Sequence, residues 1–163
     1  GTGLIAKHIV NAAAHIEATD ASAEMIAEAK RDTRSAKLHF SVQDMFRLPY
    51  ANQSFHVVIV SNALHIVPQP EKALQEIKRV LKDDGVLIAP TFAHAGNSFS
   101  GMVRAFFMRM AGFPLRSKWT SNEYLNFLRK NGWRVRKSTV LKASFPLTYA
   151  ECMKSEVQQD VIL

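Results

Sequence analysis

The strongest constraint on this chain is an alternation: apolar segments of strand length take turns with segments whose apolar residues recur at helical spacing. Such alternation points to an α/β domain with a mostly parallel sheet, because parallel neighbours need a crossover between them and the crossovers cover the sheet. Leu4 to Ala13 reads as a helix and Ile16 to Thr19 as a short buried strand. A second helix spans Ala23 to Arg31, with Ser22 as its cap, a side chain able to accept from an otherwise unpaired first-turn amide. Leu38 to Val42 is the next strand, and the β-branched run Val57 to Ser61 reads as a strand covered on both faces. Glu71 to Lys82 carries Ala73, Leu74, Ile77, Val80 and Leu81 at helical intervals, and Asp83-Asp84-Gly85 turns the chain into a strand from Val86 to Thr91.

Beyond Thr91 the pattern changes. Phe99, Met102, Val103, Phe106, Phe107 and Met110 predict an apolar-faced helix before the break at Gly112-Phe113-Pro114. Thr120 and Glu123 have the spacing of a capping box, opening a helix that ends near Asn131-Gly132. Trp133 to Leu141 and Leu147 to Met153 close the chain as strands; the short connection leaves no room for a crossover, so they are expected to pair antiparallel.

With 163 residues the chain fits one domain, and its 47% hydrophobic and 21% charged residues are globular in composition. No apolar run approaches the ~20 residues that span a bilayer, so no transmembrane segment is expected. Cys152 is the only cysteine, which excludes an internal disulfide and a cysteine-based zinc site. No metal ligands are assigned, and without a signal segment the cytoplasm is the default compartment. The net charge of +7 is unevenly spread: from Arg104 to Lys142 there are ten Lys or Arg against one acid, Glu123. This stretch keeps a surface solvated, or steers an anionic acceptor, an acidic membrane surface or nucleic acid toward a site.

At the start of the chain, Gly1-Thr2-Gly3 directly precedes a helix, where glycines let the backbone approach a ligand. Gly1-Thr2-Gly3-Leu4-Ile5-Ala6 also satisfies the dinucleotide fingerprint in its Gly-x-Gly-x-x-Ala form. The strand expected before this loop is absent; in a doubly wound sheet it would lie between the strands from Ile16 and Val57, so further residues are expected upstream. Asp20 stands at the end of its strand, where a carboxylate can accept both hydroxyls of an adenosine ribose or, alternatively, cap the following helix.

The middle of the chain is more specific. Val42-Gln43-Asp44-Met45, Leu48-Pro49-Tyr50, Ser54-Phe55, the run Val57 to Val67 with Asn62-Ala63-Leu64-His65, and Glu71 to Lys82 together resemble the type 11 methyltransferases, the ubiquinone/menaquinone-biosynthesis-like family of class I S-adenosylmethionine-dependent enzymes. The resemblance runs from Gly1 to about Thr91. It implies a Rossmann-like, doubly wound, mostly parallel sheet whose first strand is missing here, followed by the C-terminal antiparallel pair. It also implies S-adenosylmethionine as cofactor. Gly1 and Gly3 would pass beneath the methionine part, Asp20 would hold the ribose, and Ala21 and Met25 would line the adenine side. Asp44 would accept from the adenine amino group, Met45 would cover the ring, and Asn62 would lie near the methionine and the methyl. Leu64 and His65 would shape the pocket wall; His65, and less directly His94, are candidates for a general base. Two positions depart from the family pattern: His56 replaces the usual Asp, and Asp83-Asp84 replaces the usual Pro-Gly, both at the end of the sheet opposite the cofactor.

The expected reaction is methyl transfer to a small, hydrophobic or anionic-headed acceptor, driven mainly by proximity and orientation. Residues 93–118, with Arg104 and Arg109 beside the Phe- and Met-rich face, would form a lid on the acceptor side or pack on the domain; an amphipathic helix on a membrane surface would look similar. The rival readings are a nicotinamide-dependent oxidoreductase, for which no Tyr-Lys or Cys-His arrangement is found, and a cofactor-binding domain without turnover. Nucleic-acid binding is disfavoured, because Trp119, Tyr124, Phe127 and Trp133 recur at core-like spacings.

Overall fold

Local chemistry sets the element boundaries in the computed structural model, which describes residues 1–31, 33–92, 119–141 and 146–155. The chain divides at Pro49 into two compact units. In the first, α1 (Leu4–Ile9) tightens into a 3-10 turn (Val10–Ala12), followed by β1 (Ile16–Asp20), α2 (Ala23–Lys30) and β2 (Leu38–Val42). Ser22 caps α2 as expected, its Oγ accepting from Met25 N at 3.1 Å. β1 and β2 pair in parallel, from Ile16 with Leu38 to Asp20 with Val42.

Two periodicities meet in the core of this unit. Ile26 and Ala29, one turn apart on α2, bury against Leu38 and Phe40, alternate residues of β2; Ala6, Val10, Ile16 and Ala18 pack around them. β1 is half-buried rather than fully buried, and Thr19 is exposed.

The second unit begins with β3 (Phe55–Ile59), α3 (Pro70–Val80), β4 (Leu81–Ile88) and β5 (Thr91–Phe92). It ends with α4 (Ser121–Lys130), β6 (Trp133–Leu141) and β7 (Leu147–Lys154). β3 and β4 are parallel. One edge of β7 bonds antiparallel to β4 and then β5, and the other bonds antiparallel to β6 along its length. Pro90 separates β4 from β5 because it has no amide hydrogen for the ladder, while Ala89 N still donates to Ala150 O at 2.9 Å. Parallel pairs followed by an antiparallel C-terminal pair are the α/β arrangement expected from the sequence. Among the described residues β1 is paired by β2 alone and β3 by β4 alone.

Several boundaries differ from expectation. The strand expected from Val57 to Ser61 begins at Phe55, and it is not covered on both faces, since Val57 is 48% exposed. The helix expected to reach Lys82 stops at Val80: Leu81 is fully buried, as its spacing requires, yet its backbone is already extended and pairs with Phe55. Asp83-Asp84-Gly85 therefore bulges within β4, between the pairs Phe55 with Leu81 and Val57 with Val86. The helix predicted from Phe99 to Met110 lies outside the described residues, as does the 93–118 lid.

The capping box is present in full: Thr120 Oγ1 accepts from Glu123 N, and the Glu123 carboxylate accepts from Thr120 N at 2.8 Å. The unusual residues around the β4 bulge also find partners. Lys82 Nζ donates to His56 Nε2 at 2.8 Å, and Asp83 accepts from Lys154 Nζ at 2.8 Å and from Gln53 Nε2 at 3.1 Å. The hydrogen bond from Lys154, and then its charge, hold the Asp83 carboxyl below its ordinary value of 3.8. The unfolded chain thus takes up the proton first, so this contribution to stability is present above that value and is lost as the pH falls through the lower folded one. Asp83→Asn is expected to destabilise slightly near neutral pH, with the gap from the parent closing between pH of about 5 and 3 in urea melts. A gap constant across that range would contradict the assignment.

Candidate functional site

Strand polarity brings the sequence-predicted residues of the first unit to one rim. Asp20 is the last residue of β1 and Val42, its register partner, the last of β2, so Asp20 and the Asp44 turn leave the ladder at its carboxyl end. Gln43 N donates to Asp20 O at 3.0 Å and ties the two exits together. Asp20 Oδ1 accepts from Ser22 N at 2.8 Å, which orients the carboxylate. The Asp20 side chain keeps 28% of its surface exposed, so its oxygens are both oriented and accessible.

Gly3 shows why this loop uses glycine. Its φ is +74°, and a Cβ there would lie 2.7 and 2.8 Å from two atoms of the Phe40 ring. Only a residue without a side chain lets α1 start this close to β2. A Cβ on Gly1 meets nothing within 4 Å, so the space above that residue is open.

Asp44 is exposed, and its Oδ1 accepts from Phe46 N at 2.9 Å in a local turn that leaves Oδ2 accessible to hydrogen-bond donors. Met25 and Met45 are half-buried and Ala21 is exposed. The rim thus offers two carboxylates and two thioether side chains. That combination suits a flat, donor-bearing ligand such as a nucleoside: acceptors for hydroxyl and amino groups, soft apolar surface for a ring.

In the second unit the predicted residues follow β3. Asn62 adopts φ +52°, a left-handed conformation uncommon outside glycine, held by its N–H donating to Pro90 O at 2.9 Å. Its Oδ1 is buried with no hydrogen-bond partner among the described residues, while Nδ2 reaches Ser61 Oγ at 3.5 Å. A left-handed backbone and an acceptor without a partner among the described residues together leave Asn62 Oδ1 able to take a donor. Leu64 is 1% exposed and belongs to the core.

His65 is 2% exposed, and its Nδ1 shares a 2.8 Å hydrogen bond with Thr91 Oγ1, itself 1% exposed. This bond joins the β3 exit to β5. Thr91 was not anticipated from the sequence, since nothing local marks a partner so far along the chain. Thr91→Val is expected to cost about 1–3 kcal/mol by stranding a buried ring nitrogen, as measured by urea unfolding; a cost below about 0.5 kcal/mol would show that the bond carries little. Tyr124 is a second unanticipated support: its hydroxyl donates to Ala89 O at 2.9 Å, and burial raises its pKa far above the ordinary tyrosine range, so it holds β4 rather than moving protons. His94 lies outside the described residues.

Residues 1–89 match the family described as Methyltransferase domain. A demethylmenaquinone methyltransferase of Renibacterium salmoninarum is 36% identical over 94 residues, 58% of this chain and 39% of that protein. The chain therefore spans about two fifths of that relative's length. Among solved structures, an S-adenosylmethionine-dependent methyltransferase from Mesorhizobium loti superposes with a TM-score of 0.75 at 14% identity, covering 94% of this chain and 87% of that one. The cyclase SpnF superposes with a TM-score of 0.78 at 18% identity, over 95% and 72% of the two chains. At these identities the structures establish a shared fold, and a fold that carries both a methyltransferase and a cyclase does not by itself name a reaction.

Proposed function

The chain belongs to the methyltransferase-domain family, and from that premise we propose that it binds S-adenosylmethionine and transfers its methyl group to a small, apolar, quinone-like acceptor. The observation that carries the reading is the rim at the carboxyl end of β1 and β2, where an oriented Asp20 and an exposed Asp44 leave adjacent strands and Gly3 packs against Phe40 of β2. Asp20 would accept both ribose hydroxyls through the oxygens that Ser22 N keeps in place. Asp44 would accept from the adenine amino group, with Met25, Met45 and Ala21 against the ring. Gly1 and Gly3 would leave room for the methionine chain.

When bound, the cofactor supplies a sulfonium methyl that is already activated. The protein's task is then to orient an acceptor in line with it and to exclude water. Leu64 is core, and His65 is read as wall: a histidine only 2% exposed and bonded to Thr91 is fixed in place, which suits shaping a pocket better than exchanging protons.

The acceptor class rests on the relatives named demethylmenaquinone methyltransferase. Incubation of the protein with methyl-labelled cofactor and separate panels of demethylated quinols, RNA and protein tests it. Label is expected in the quinol panel; transfer confined to RNA or protein would overturn the acceptor class while leaving the cofactor reading intact. Neither a nicotinamide-dependent oxidoreductase nor a domain without turnover is favoured by the family match.

A further inference from the structure

β1 and β2 carry a second cluster, at the end away from Asp20. His15 and Glu17 are two residues apart in extended chain and so share a face, and Glu17 is the register partner of His39. His15 Nε2 lies 2.7 Å and His39 Nδ1 3.8 Å from the same Glu17 oxygen, Oε1, and the two imidazoles meet edge to face at 4.9 Å between centroids. One ligand atom from each residue lies within 4.8 Å of the other two. We propose that His15, Glu17 and His39 form a surface site for a zinc-type transition-metal ion, with solvent at the fourth position.

The donor set selects the ion. Two imidazole nitrogens and one carboxylate oxygen suit borderline ions such as Zn²⁺, whereas Mg²⁺ and Ca²⁺ take oxygen ligands. Around a tetrahedral ion with bonds of about 2.0–2.2 Å the donors stand about 3.4 Å apart; the observed 2.7 and 3.8 Å bracket that separation. The imidazoles, with 49% and 59% of their side-chain surface exposed, can turn to meet the ion, while Glu17 at 21% is the anchored member. The backbone beneath them needs no change, because the parallel ladder already fixes Glu17 opposite His39. From Glu17 to Asp20 the strand rises about 10 Å, which separates this cluster from the rim at the other end.

Metal held here would cross-link β1 to β2. Because imidazole must be neutral to ligate, binding is expected to weaken as the pH falls. The test is titration of the untagged, chelator-treated protein with ZnCl₂ by calorimetry and with CoCl₂ by visible absorption. One saturable zinc site is expected, with a cobalt spectrum of low-coordinate type and a melting temperature that rises with zinc and falls back on adding EDTA. His15→Ala and His39→Ala should each weaken zinc at least tenfold, and His56→Ala, in the other unit, should not. The exposed variants can be checked for folding by circular dichroism, and the parent cobalt spectrum stands without them. Absence of saturable binding in the parent protein, a six-coordinate aquo-type spectrum, or unchanged affinity in the double variant would overturn the site.

Discussion

Gly3→Ala is expected to destabilise the protein by about 2–5 kcal/mol: roughly 1–2 kcal/mol for a β-carbon in the left-handed region, and about 1–3 kcal/mol for displacing the Phe40 ring. The ring has little room to retreat, being 9% exposed and packed among Ile26, Ala29 and Leu38. In a chain of this size that corresponds to a fall in Tm on the order of 10 °C. Gly1→Ala is the matched control, since its new methyl meets nothing within 4 Å. A Gly3→Ala variant within about 1 kcal/mol of the parent would mean that the loop and β2 can part without cost, and the tight start of α1 would lose its explanation.

Asp20→Ala is expected to weaken cofactor binding on the order of 10²- to 10³-fold, the equivalent of two hydrogen bonds to a charged acceptor at about 1.5–3 kcal/mol each, not fully additive. Stability should change little, because the interior contact that Asp20 makes is a single bond from Ser22 N on a partly exposed side chain. Asp20→Asn separates charge from shape: it keeps one acceptor oxygen for Ser22 N and loses the carboxylate, so an intermediate affinity is expected. Binding by Asp20→Ala within threefold of the parent, measured by calorimetry, would remove the carboxylate from the ribose.

What was legible in the sequence was local. Ser22 and the Thr120–Glu123 box act within one turn, and the short connection between β6 and β7 forces them antiparallel, so each could be placed from neighbouring residues alone. Reading failed where a distant partner decides. Leu81 has helical spacing but is drawn into extended pairing with Phe55; Val57 has the chemistry of a covered strand but is 48% exposed. Pro90 looked like part of a continuous strand, yet its missing amide hydrogen ends β4 and its carbonyl holds Asn62 in the left-handed region. The site divides the same way. Asp20 could be chosen because its strand end is readable and Asp44 through the family resemblance, whereas the bond of His65 to Thr91, 26 residues away, and the meeting of His39 with Glu17 depend on register.

Titration of the protein by calorimetry with S-adenosylhomocysteine, and in parallel with NAD⁺ and NADP⁺, tests the central claim most directly. One saturable site for S-adenosylhomocysteine, lost in Asp20→Ala, and none for either nicotinamide dinucleotide is the predicted result. Saturable binding of a nicotinamide dinucleotide with no binding of S-adenosylhomocysteine would contradict it.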